Sequence, residues 1–201
     1  MTSSRSESRS ILFVCTGNIA RSPFMELTLA QRLADTSAAA LPVHSAGTYA
    51  LAHSGVHPVV AEELDNRGID ASGFTTTQLS SQLVQQAGLV LTATRDHRRL
   101  VARLAPERRN VTFTLRQFVR LIQLDPVGEI RVATNGPLEA LAQLANRNRG
   151  LSAGSQDDDD IVDPVNSHRR LFPATFAAID PAISLLAELI TGLKDLSRNR
   201  S

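Results

Sequence analysis

The sequence predicts an α/β fold, with a doubly wound, mostly parallel sheet of about four strands flanked by helices. Short apolar segments alternate with segments of helical spacing as far as residue 114, which is the pattern of alternating strands and helices. The first apolar segment, residues 11–14, contains no polar residue, as expected for a strand buried on both faces of a parallel sheet. A loop and then a helical pattern follow it directly.

The elements can be assigned in order from these patterns. We expect strands at residues 11–14, 41–45, 88–94 and 110–114, and helices at residues 22–33, 58–67, 80–87 and 96–104. Ser22 can cap the first helix, with Pro23 in its first turn, and Gly68 is placed to end the second helix.

The alternation stops after Phe118. The following residues predict a loop at 125–136, an Ala- and Leu-rich helix at 137–146, and a final helix at 172–196 that packs on the sheet and is kinked by Pro181. The resulting domain prediction is a disordered tail at residues 1–9 and a single domain at 10–198 with an insertion at 119–156.

Composition narrows the possible functions. The 21 Lys and Arg residues nearly balance the 20 Asp and Glu residues, so the formal charge of +1 gives no reason to expect a nucleic acid or an anionic membrane as partner. The single cysteine excludes an internal disulfide and a cysteine-rich zinc site, and it fits a reducing compartment. We therefore expect a cytoplasmic protein. No membrane span is expected, because the apolar stretch at 183–193 is interrupted by Glu188.

The loop at residues 15–23 carries the candidate chemistry. It follows the carboxyl end of the first strand, where open α/β sheets bind ligands. Such a loop directs successive backbone N–H groups to one point, and the next helix adds its positive end, so the pocket favours a phosphate dianion. Gly17 and Asn18 tolerate the positive φ that a tight loop demands. The predicted phosphate-binding residues are Thr16, Gly17, Asn18, Ile19, Ala20, Arg21 and Ser22.

Cys15 and Arg21 are the candidate catalytic residues of this loop. Cys15 would lie where the dipoles converge, so the field favours a thiolate, and Ser22 can donate a hydrogen bond to it. The planar fork of Arg21 can hold two phosphoryl oxygens and stabilise their charge in the transition state. Taken alone, Cys15 would be interpreted as a buried structural cysteine. The combination of Gly, Asn, Arg, Ser and Pro after a strand favours the catalytic interpretation.

These residues resemble the signature loop of the low-molecular-weight protein tyrosine phosphatases. The resemblance includes residues 13–19 and 21–23, continues at 45–48, 67–70 and 78–79, and covers most of residues 10–118 and 160–190. It implies that the general acid is the Asp of an Asp-Pro pair near the C-terminus, which is Asp163 in this chain.

The Asp-Pro pair alone does not identify the acid, because it is an ordinary turn signal and occurs three times, at Asp125, Asp163 and Asp180. Asp180 falls inside the last helical pattern. Asp125 lacks the surrounding residues that Asp163 shares with the family, and it stays as the second candidate.

The resemblance also implies an activity. The Cys15 thiolate would attack phosphorus and form a phosphocysteine, Asp163 would protonate the leaving group and then activate water, and no metal or organic cofactor would be needed. The expected partner is a tyrosine-phosphorylated protein, for example a tyrosine kinase of polysaccharide export, and the expected state is a monomer. This hydrolysis of phosphate monoesters is the predicted function.

Several positions depart from the family pattern. Ala20 replaces a second loop cysteine that could protect the nucleophile. Tyr49, Leu51 and Val165 are the predicted substrate rim, with fewer aromatic residues than in relatives. Phe74 replaces a His that supports the loop Asn, which would soften the pocket.

Two other functions remain open from the sequence. An arsenate reductase that uses an external thiol would share the loop, and a non-catalytic phosphate or phosphopeptide sensor would fit the altered rim. Asn18, Pro23 and Asp163 favour the phosphatase over the reductase. The presence of Cys15, Arg21 and Asp163 speaks against the sensor.

The remaining polar residues are not predicted to be functional. The acidic run at residues 157–160 lacks spaced metal ligands and predicts a solvated loop. The histidines have no zinc-ligand spacing and are expected on the surface or in polar loops; they are His44, His53, His57, His97 and His168.

Overall fold

The fold is built on a sheet of four parallel strands. The structure, a computed structural model, describes residues 9–124, 136–150, 159–165 and 169–198. The strands are β1 Ser10–Cys15, β2 Val43–Gly47, β3 Ala87–Thr92 and β4 Thr112–Thr114, in the spatial order β2-β1-β3-β4. The predicted α/β class is confirmed.

Helices cover both faces of this sheet. They are α1 Arg21–Leu33, α2 Pro58–Asn66, α3 Ser81–Gln86, α4 Arg95–Leu104, α5 Leu115–Gln123, α6 Pro137–Asn148 and α7 Leu171–Arg198, with a 3-10 helix at Pro106–Val111. The buried residues of α1, α2, α5, α6 and α7 form one core, and those of α3 and α4 form a second.

β1 separates the two cores. Ile11 and Phe13 point into the first core, whereas Leu12 and Val14 point into the second. All four side chains are at most 1% exposed. Because both faces of β1 are covered, its sequence can be apolar at every position, as predicted.

Side chains next to the helices determine where several of them start and end. Ser80, Thr94 and Thr114 each accept a hydrogen bond from the backbone three residues on, at the start of α3, α4 and α5. Gly68, at φ 71°, follows the end of α2 as predicted. The prediction that Ser22 caps α1 is wrong. The helix begins at Arg21 after Ala20, and the Ser22 hydroxyl bonds to Cys15 instead.

Three predicted strands have boundaries that differ from the observed ones by one or two residues. β2 begins two residues later than expected because backbone turns occupy residues 36–41, and it extends to Gly47 because Cys15 pairs with that glycine. β3 ends at Thr92, since Thr94 caps α4. The 3-10 helix takes the first two residues of the predicted fourth strand, so β4 keeps three.

The segment predicted as an insertion contributes to the core. Its predicted start at residue 119 falls inside α5, whose Leu115, Phe118 and Leu121 are buried. The predicted helix at 137–146 is α6, which extends to Asn148. The amide of Asn148 donates to the carbonyl of Leu121 at 2.8 Å, so α6 is hydrogen-bonded to α5. The predicted loop at 125–136 lies almost wholly outside the described residues.

α7 runs as one continuous helix through Pro181. By length and hydropathy it could also cross a membrane. Its buried side chains, among them Phe172, Ile179 and Ile183, belong to the first core and pack against α1. Its apolar composition is therefore explained within the fold.

Gly47 is the position where the sheet most tightly restricts the loop after β1. A Cβ at this position would lie 2.5 Å from the Thr16 carbonyl oxygen and 3.0 Å from the Asn18 nitrogen. We expect Gly47→Ala to lower the free energy of unfolding by about 1–3 kcal/mol, because backbone atoms must shift to admit the methyl group. Urea unfolding will measure this change. Gly55→Ala is the control, since its Cβ would meet nothing within 4 Å. Equal effects of the two substitutions would contradict this account.

Candidate active site

The carbonyl groups of the loop between β1 and α1 point outward and accept hydrogen bonds from a neighbouring segment. Backbone N–H groups of the segment after β2 donate to four of them: Thr48 to Cys15 at 2.9 Å, Tyr49 to Thr16 at 2.9 Å, Leu51 to Gly17 at 3.2 Å and His57 to Ile19 at 2.7 Å. In a trans peptide the N–H points away from the C=O. The N–H groups of Thr16, Gly17, Asn18 and Ala20 are therefore turned to the inside of the loop. Converging amides of this kind form an anion-binding nest.

Asn18 stabilises this loop from below. Its φ of 56° lies in the left-handed region, and its side chain is fully buried. The amide nitrogen donates to the hydroxyls of Ser22 at 2.9 Å and Ser45 at 2.7 Å, and the amide oxygen accepts from the Thr77 backbone at 2.7 Å. A buried amide with all these partners determines the loop conformation because losing any of them leaves an unsatisfied group.

Cys15 lies at the base of the loop and is 2% exposed. Its Sγ is 3.0 Å from the Ser22 hydroxyl. That hydroxyl accepts a hydrogen bond from Asn18, and its own proton has two acceptors within reach, Cys15 Sγ and, at 3.4 Å, the Ala46 carbonyl. A Cys15 thiolate, as the nearer and charged acceptor, would take this proton. The predicted contact between Ser22 and Cys15 is present.

Arg21 lies under the mouth of the loop and is 4% exposed. Its guanidinium donates to Asp163 Oδ2 at 2.5 Å, to the Ile161 carbonyl at 3.0 Å and to Thr16 Oγ1 at 3.3 Å. Among the described residues, none accepts a hydrogen bond from its buried Nε. The guanidinium therefore has capacity for an anion while being held in place.

Asp163 is brought next to Arg21 although the two are 142 positions apart. Its other oxygen, Oδ1, accepts from the Val165 backbone at 3.1 Å. The preceding residues attach this segment to the sheet edge, because Ile161 N donates to the Ala93 carbonyl at 2.9 Å and Asp160 accepts from Arg95 N at 2.7 Å. A carboxyl group thus lies at the mouth of the phosphate loop.

Of the other two Asp-Pro pairs, the one at Asp180 is described by the structure and differs from this arrangement. Asp180 lies in α7 and pairs with Arg67 at 2.6 Å. Asp125 lies outside the described residues. The structure therefore places Asp163, and not Asp180, with Cys15 and Arg21.

The prediction that the acidic run at residues 157–160 is a solvated loop is wrong for Asp159. Asp159 is 2% exposed and forms an ion pair with Arg120 of α5. Asp160 binds the start of α4. Removing either partner of a buried ion pair leaves an uncompensated charge, so this pair fixes the position of the segment that carries Asp163. Asp157 and Asp158 lie outside the described residues.

His97 is the site residue that the sequence analysis missed. It is 7% exposed rather than on the surface, and its Nε2 lies 3.0 Å from Thr16 Oγ1. Burial, assisted by the charge of Arg21, lowers the pKa of His97 to about 4. A signal was present in the sequence, because His97 follows β3 and parallel strands end at the same edge of a sheet.

Two of the three predicted rim residues, Tyr49 and Leu51, lie at the mouth of the loop. Tyr49 and Leu51 are 72% and 51% exposed, and their backbones are hydrogen-bonded to loop carbonyls. Val165 is half-buried and packs against the core. Val162, which was not predicted, is 61% exposed beside Asp163. The rim therefore contains exposed apolar surface.

Phe74 does not leave Asn18 without support, because Ser45 and Thr77 bind its amide. Ser45 in turn donates to Glu26 Oε2 at 2.5 Å, and burial raises the pKa of Glu26. Phe74, Glu26 and Ser45 line an open groove of about 950 Å³. The Asn18 amide is therefore supported by Ser45 and Thr77, and the substitution of Phe74 for a histidine does not interrupt the hydrogen bonds under the loop.

No group of three or more His, Cys, Asp or Glu side chains in the described part of the chain is placed to hold a metal ion. The groups that the structure brings together at the loop are a thiol, a guanidinium, a carboxyl group, hydroxyls, an imidazole and backbone amides.

Comparison with known proteins agrees with this geometry. The sequence profile described as low molecular weight phosphotyrosine protein phosphatase matches residues 10–127. The chain is 34% identical over 144 residues to a protein-arginine-phosphatase of Bacillus subtilis, covering 68% of this chain and 95% of that protein. It is 33% identical over 110 residues to the low molecular weight protein-tyrosine-phosphatase Etp of Escherichia coli, covering 55% and 71%.

A solved structure shows the same fold. The YwlE arginine phosphatase from Geobacillus stearothermophilus superposes with a TM-score of 0.64 at 27% identity, covering 90% of this chain and 91% of that one. The family profile ends before Asp163, so the position of the acid depends on the geometry described above. Since the profile covers more than half of the sequence and includes the whole phosphate loop, the chain belongs to the low molecular weight phosphotyrosine protein phosphatase family.

Proposed function

We propose that this chain hydrolyses phosphate monoesters through a phosphocysteine intermediate, with Cys15, Arg21 and Asp163 as the catalytic residues. The observation that carries this proposal is the position of the Cys15 thiol. It lies 3.0 Å from the Ser22 hydroxyl, at the base of a loop whose carbonyl groups are bound on the outside. An anion in the loop would be held directly over the nucleophile.

In the first step the Cys15 thiolate attacks phosphorus, the S–P bond forms and the bond to the leaving oxygen breaks. Arg21 and the loop amides stabilise the charge on the phosphoryl oxygens. The proton on the Asp163 carboxyl group passes to the leaving oxygen, which departs as an alcohol.

The ion pair between Arg21 and Asp163 has a role in this step. A phosphoryl dianion that enters the loop competes with the carboxylate for the guanidinium, because both bind its donors. A bound dianion would therefore release the Asp163 carboxyl group from Arg21. Substrate binding would thereby convert Asp163 from a partner of Arg21 into a proton donor.

In the second step Asp163, now a carboxylate, accepts a proton from water. The water oxygen attacks phosphorus, the S–P bond breaks, and inorganic phosphate and the Cys15 thiolate are released. The two steps use only side chains and backbone amides of this chain.

For the substrate we propose phosphotyrosine in proteins. The exposed apolar rim formed by Tyr49, Leu51 and Val162 suits a flat aromatic ring. The partner that the family resemblance implies is a tyrosine kinase of polysaccharide export, and we propose that the chain acts on it as a cytoplasmic monomer. Phosphoarginine is the second candidate, because two of the relatives are named arginine phosphatases.

The first test is hydrolysis of p-nitrophenyl phosphate in the presence of EDTA. We expect Cys15→Ser to have no measurable turnover, because it lacks the nucleophile. Asp163→Asn should lower kcat by about 10²–10⁴-fold, the usual contribution of a general acid. Asp180→Asn, another Asp-Pro pair, is the matched control and should stay near wild type.

Asp125→Asn tests the second candidate for the general acid, and its activity should stay near that of the wild type. If it loses more activity than Asp163→Asn, the acid assignment is wrong. If the wild type binds phosphate or arsenate without turnover, the phosphatase proposal fails, and a sensor or a thiol-dependent arsenate reductase takes its place.

The substrate proposal is tested with two peptides of one sequence, one carrying phosphotyrosine and the other phosphoarginine. We expect a higher kcat/KM for phosphotyrosine. Replacing Leu51 by Ala should lower that value about 2- to 10-fold, because the shorter side chain buries less apolar surface against the tyrosine ring. Leu196→Ala is the control, since Leu196 is 49% exposed on α7, outside the rim. A preference for the phosphoarginine peptide would refute the substrate proposal and leave the mechanism in place.

A further inference from the structure

A chain of three polar side chains connects the start of α4 to the phosphate loop. Thr94 Oγ1 lies 2.7 Å from His97 Nδ1, and His97 Nε2 lies 3.0 Å from Thr16 Oγ1. Thr16 Oγ1 also accepts a hydrogen bond from Arg21 Nη2 at 3.3 Å. Thr94 and His97 take no part in the two chemical steps proposed above. The series of hydrogen bonds nevertheless ends at Thr16, the residue next to Cys15.

The direction of the first hydrogen bond follows from the helix cap. As the residue that caps α4, Thr94 accepts from the backbone N–H of His97 through its hydroxyl oxygen at 3.3 Å. Its single proton has no acceptor in the described part of the chain other than His97 Nδ1. The hydroxyl therefore donates to Nδ1.

The second hydrogen bond then has only one possible direction. Burial keeps His97 neutral at pH 7, since its pKa is lowered to about 4. A neutral imidazole that accepts at Nδ1 carries its proton on Nε2. His97 therefore donates to Thr16 Oγ1.

Thr16 thus receives two donors, His97 Nε2 and Arg21 Nη2, which occupy both lone pairs of its hydroxyl oxygen. Its own proton has no acceptor among the described residues. Thr16 is exposed while Cys15 and Arg21 beside it are buried, so a substrate oxygen in the loop can reach that proton.

We propose that the Thr16 hydroxyl is a catalytic hydrogen-bond donor to the phosphoryl group, and that His97 is a positioning residue that directs the Thr16 proton toward it. This inference rests on the proposed phosphatase function. A donor that is already oriented adds to the stabilisation of the charge on the phosphoryl oxygens without reorganisation in the transition state. His97 acts through Thr16 and does not contact the substrate.

The tautomer of His97 is the first measurable consequence. In ¹⁵N NMR spectra of the histidine side chains, with His97→Gln for assignment, we expect a protonated Nε2 and an unprotonated Nδ1 at pH 7. The pKa of the ring should be near 4, below the ordinary histidine value of 6.5, because the ring is buried. A neutral ring with its proton on Nδ1 would reverse the donor chain and overturn the proposal.

The second consequence is energetic coupling between Thr16 and His97. Thr16→Val keeps the shape of the side chain and removes the donor, so we expect kcat/KM for p-nitrophenyl phosphate to fall about 10- to 100-fold. Thr16→Ser keeps the hydroxyl and should retain most of the activity. Thr28→Val is the control for a buried Thr-to-Val change, because the Thr28 hydroxyl makes no hydrogen bond among the described residues.

His97→Phe removes the donor to Thr16, and we expect it to lower kcat/KM in the wild-type background but to add less than about 2-fold in Thr16→Val. A merely structural role of His97 would give the same loss in both backgrounds. If His97→Phe does not fold, His97→Gln replaces it. Its amide can still donate to Thr16, so its activity should stay within about 5-fold of wild type.

Binding of inorganic phosphate separates this inference from the proposed function. If the wild type shows no Cys15-dependent hydrolysis, the proposed function has failed, and isothermal titration calorimetry then tests the donor directly. We expect Thr16→Val to weaken phosphate binding about 10-fold relative to wild type and to Thr28→Val. Equal dissociation constants would overturn the role of Thr16 as a donor, whatever the enzyme assay shows.

Discussion

The side-chain amide of Asn18 is the interaction on which the rest of the site depends. Asn tolerates the left-handed backbone conformation, and three hydrogen bonds to its amide hold residue 18 at φ 56°. These bonds join the loop to α1, to β2 and to the segment before α3. They also orient Ser22, whose hydroxyl reaches Cys15. The position of the nucleophile is therefore determined by the packing of elements that are distant in sequence.

On the other side of the loop, Arg21 likewise connects the loop to a segment that is distant in sequence. It binds the Ile161 carbonyl and Asp163, and the segment that contains both residues is tied to the sheet by Ala93 and to α5 by the pair of Asp159 with Arg120. Buried charges are expensive unless they are paired and hydrogen-bonded, which explains why so many contacts converge on one guanidinium. The acid segment and the phosphate loop thus form one connected structure.

Local patterns were sufficient to predict the features that local chemistry determines. The apolar residues of β1, the turn-forming Gly68 and the positive φ of Asn18 are of this kind, whereas Gly17 does not adopt the positive φ expected for it. The errors arose where a distant contact decides. Ser22 does not cap α1 because its hydroxyl is bonded to Cys15 and Asn18, and Asp159 is buried because Arg120 neutralises it. His97 was missed since only the sheet order brings it to Thr16, 81 positions away.

The short connection after β3 serves both sides of the site at once. The Ala93 carbonyl holds the segment of Asp163, Thr94 orients the ring that contacts the phosphate loop, and the Arg95 backbone binds Asp160. Three successive residues therefore couple the acid to the anion pocket. A substitution in residues 93–95 that changes the position of the acid will therefore also disturb the anion pocket. Evolutionary or laboratory changes in leaving-group preference should arise together with compensating substitutions in this connection. For protein engineering, this connection is a unit to be exchanged as a whole.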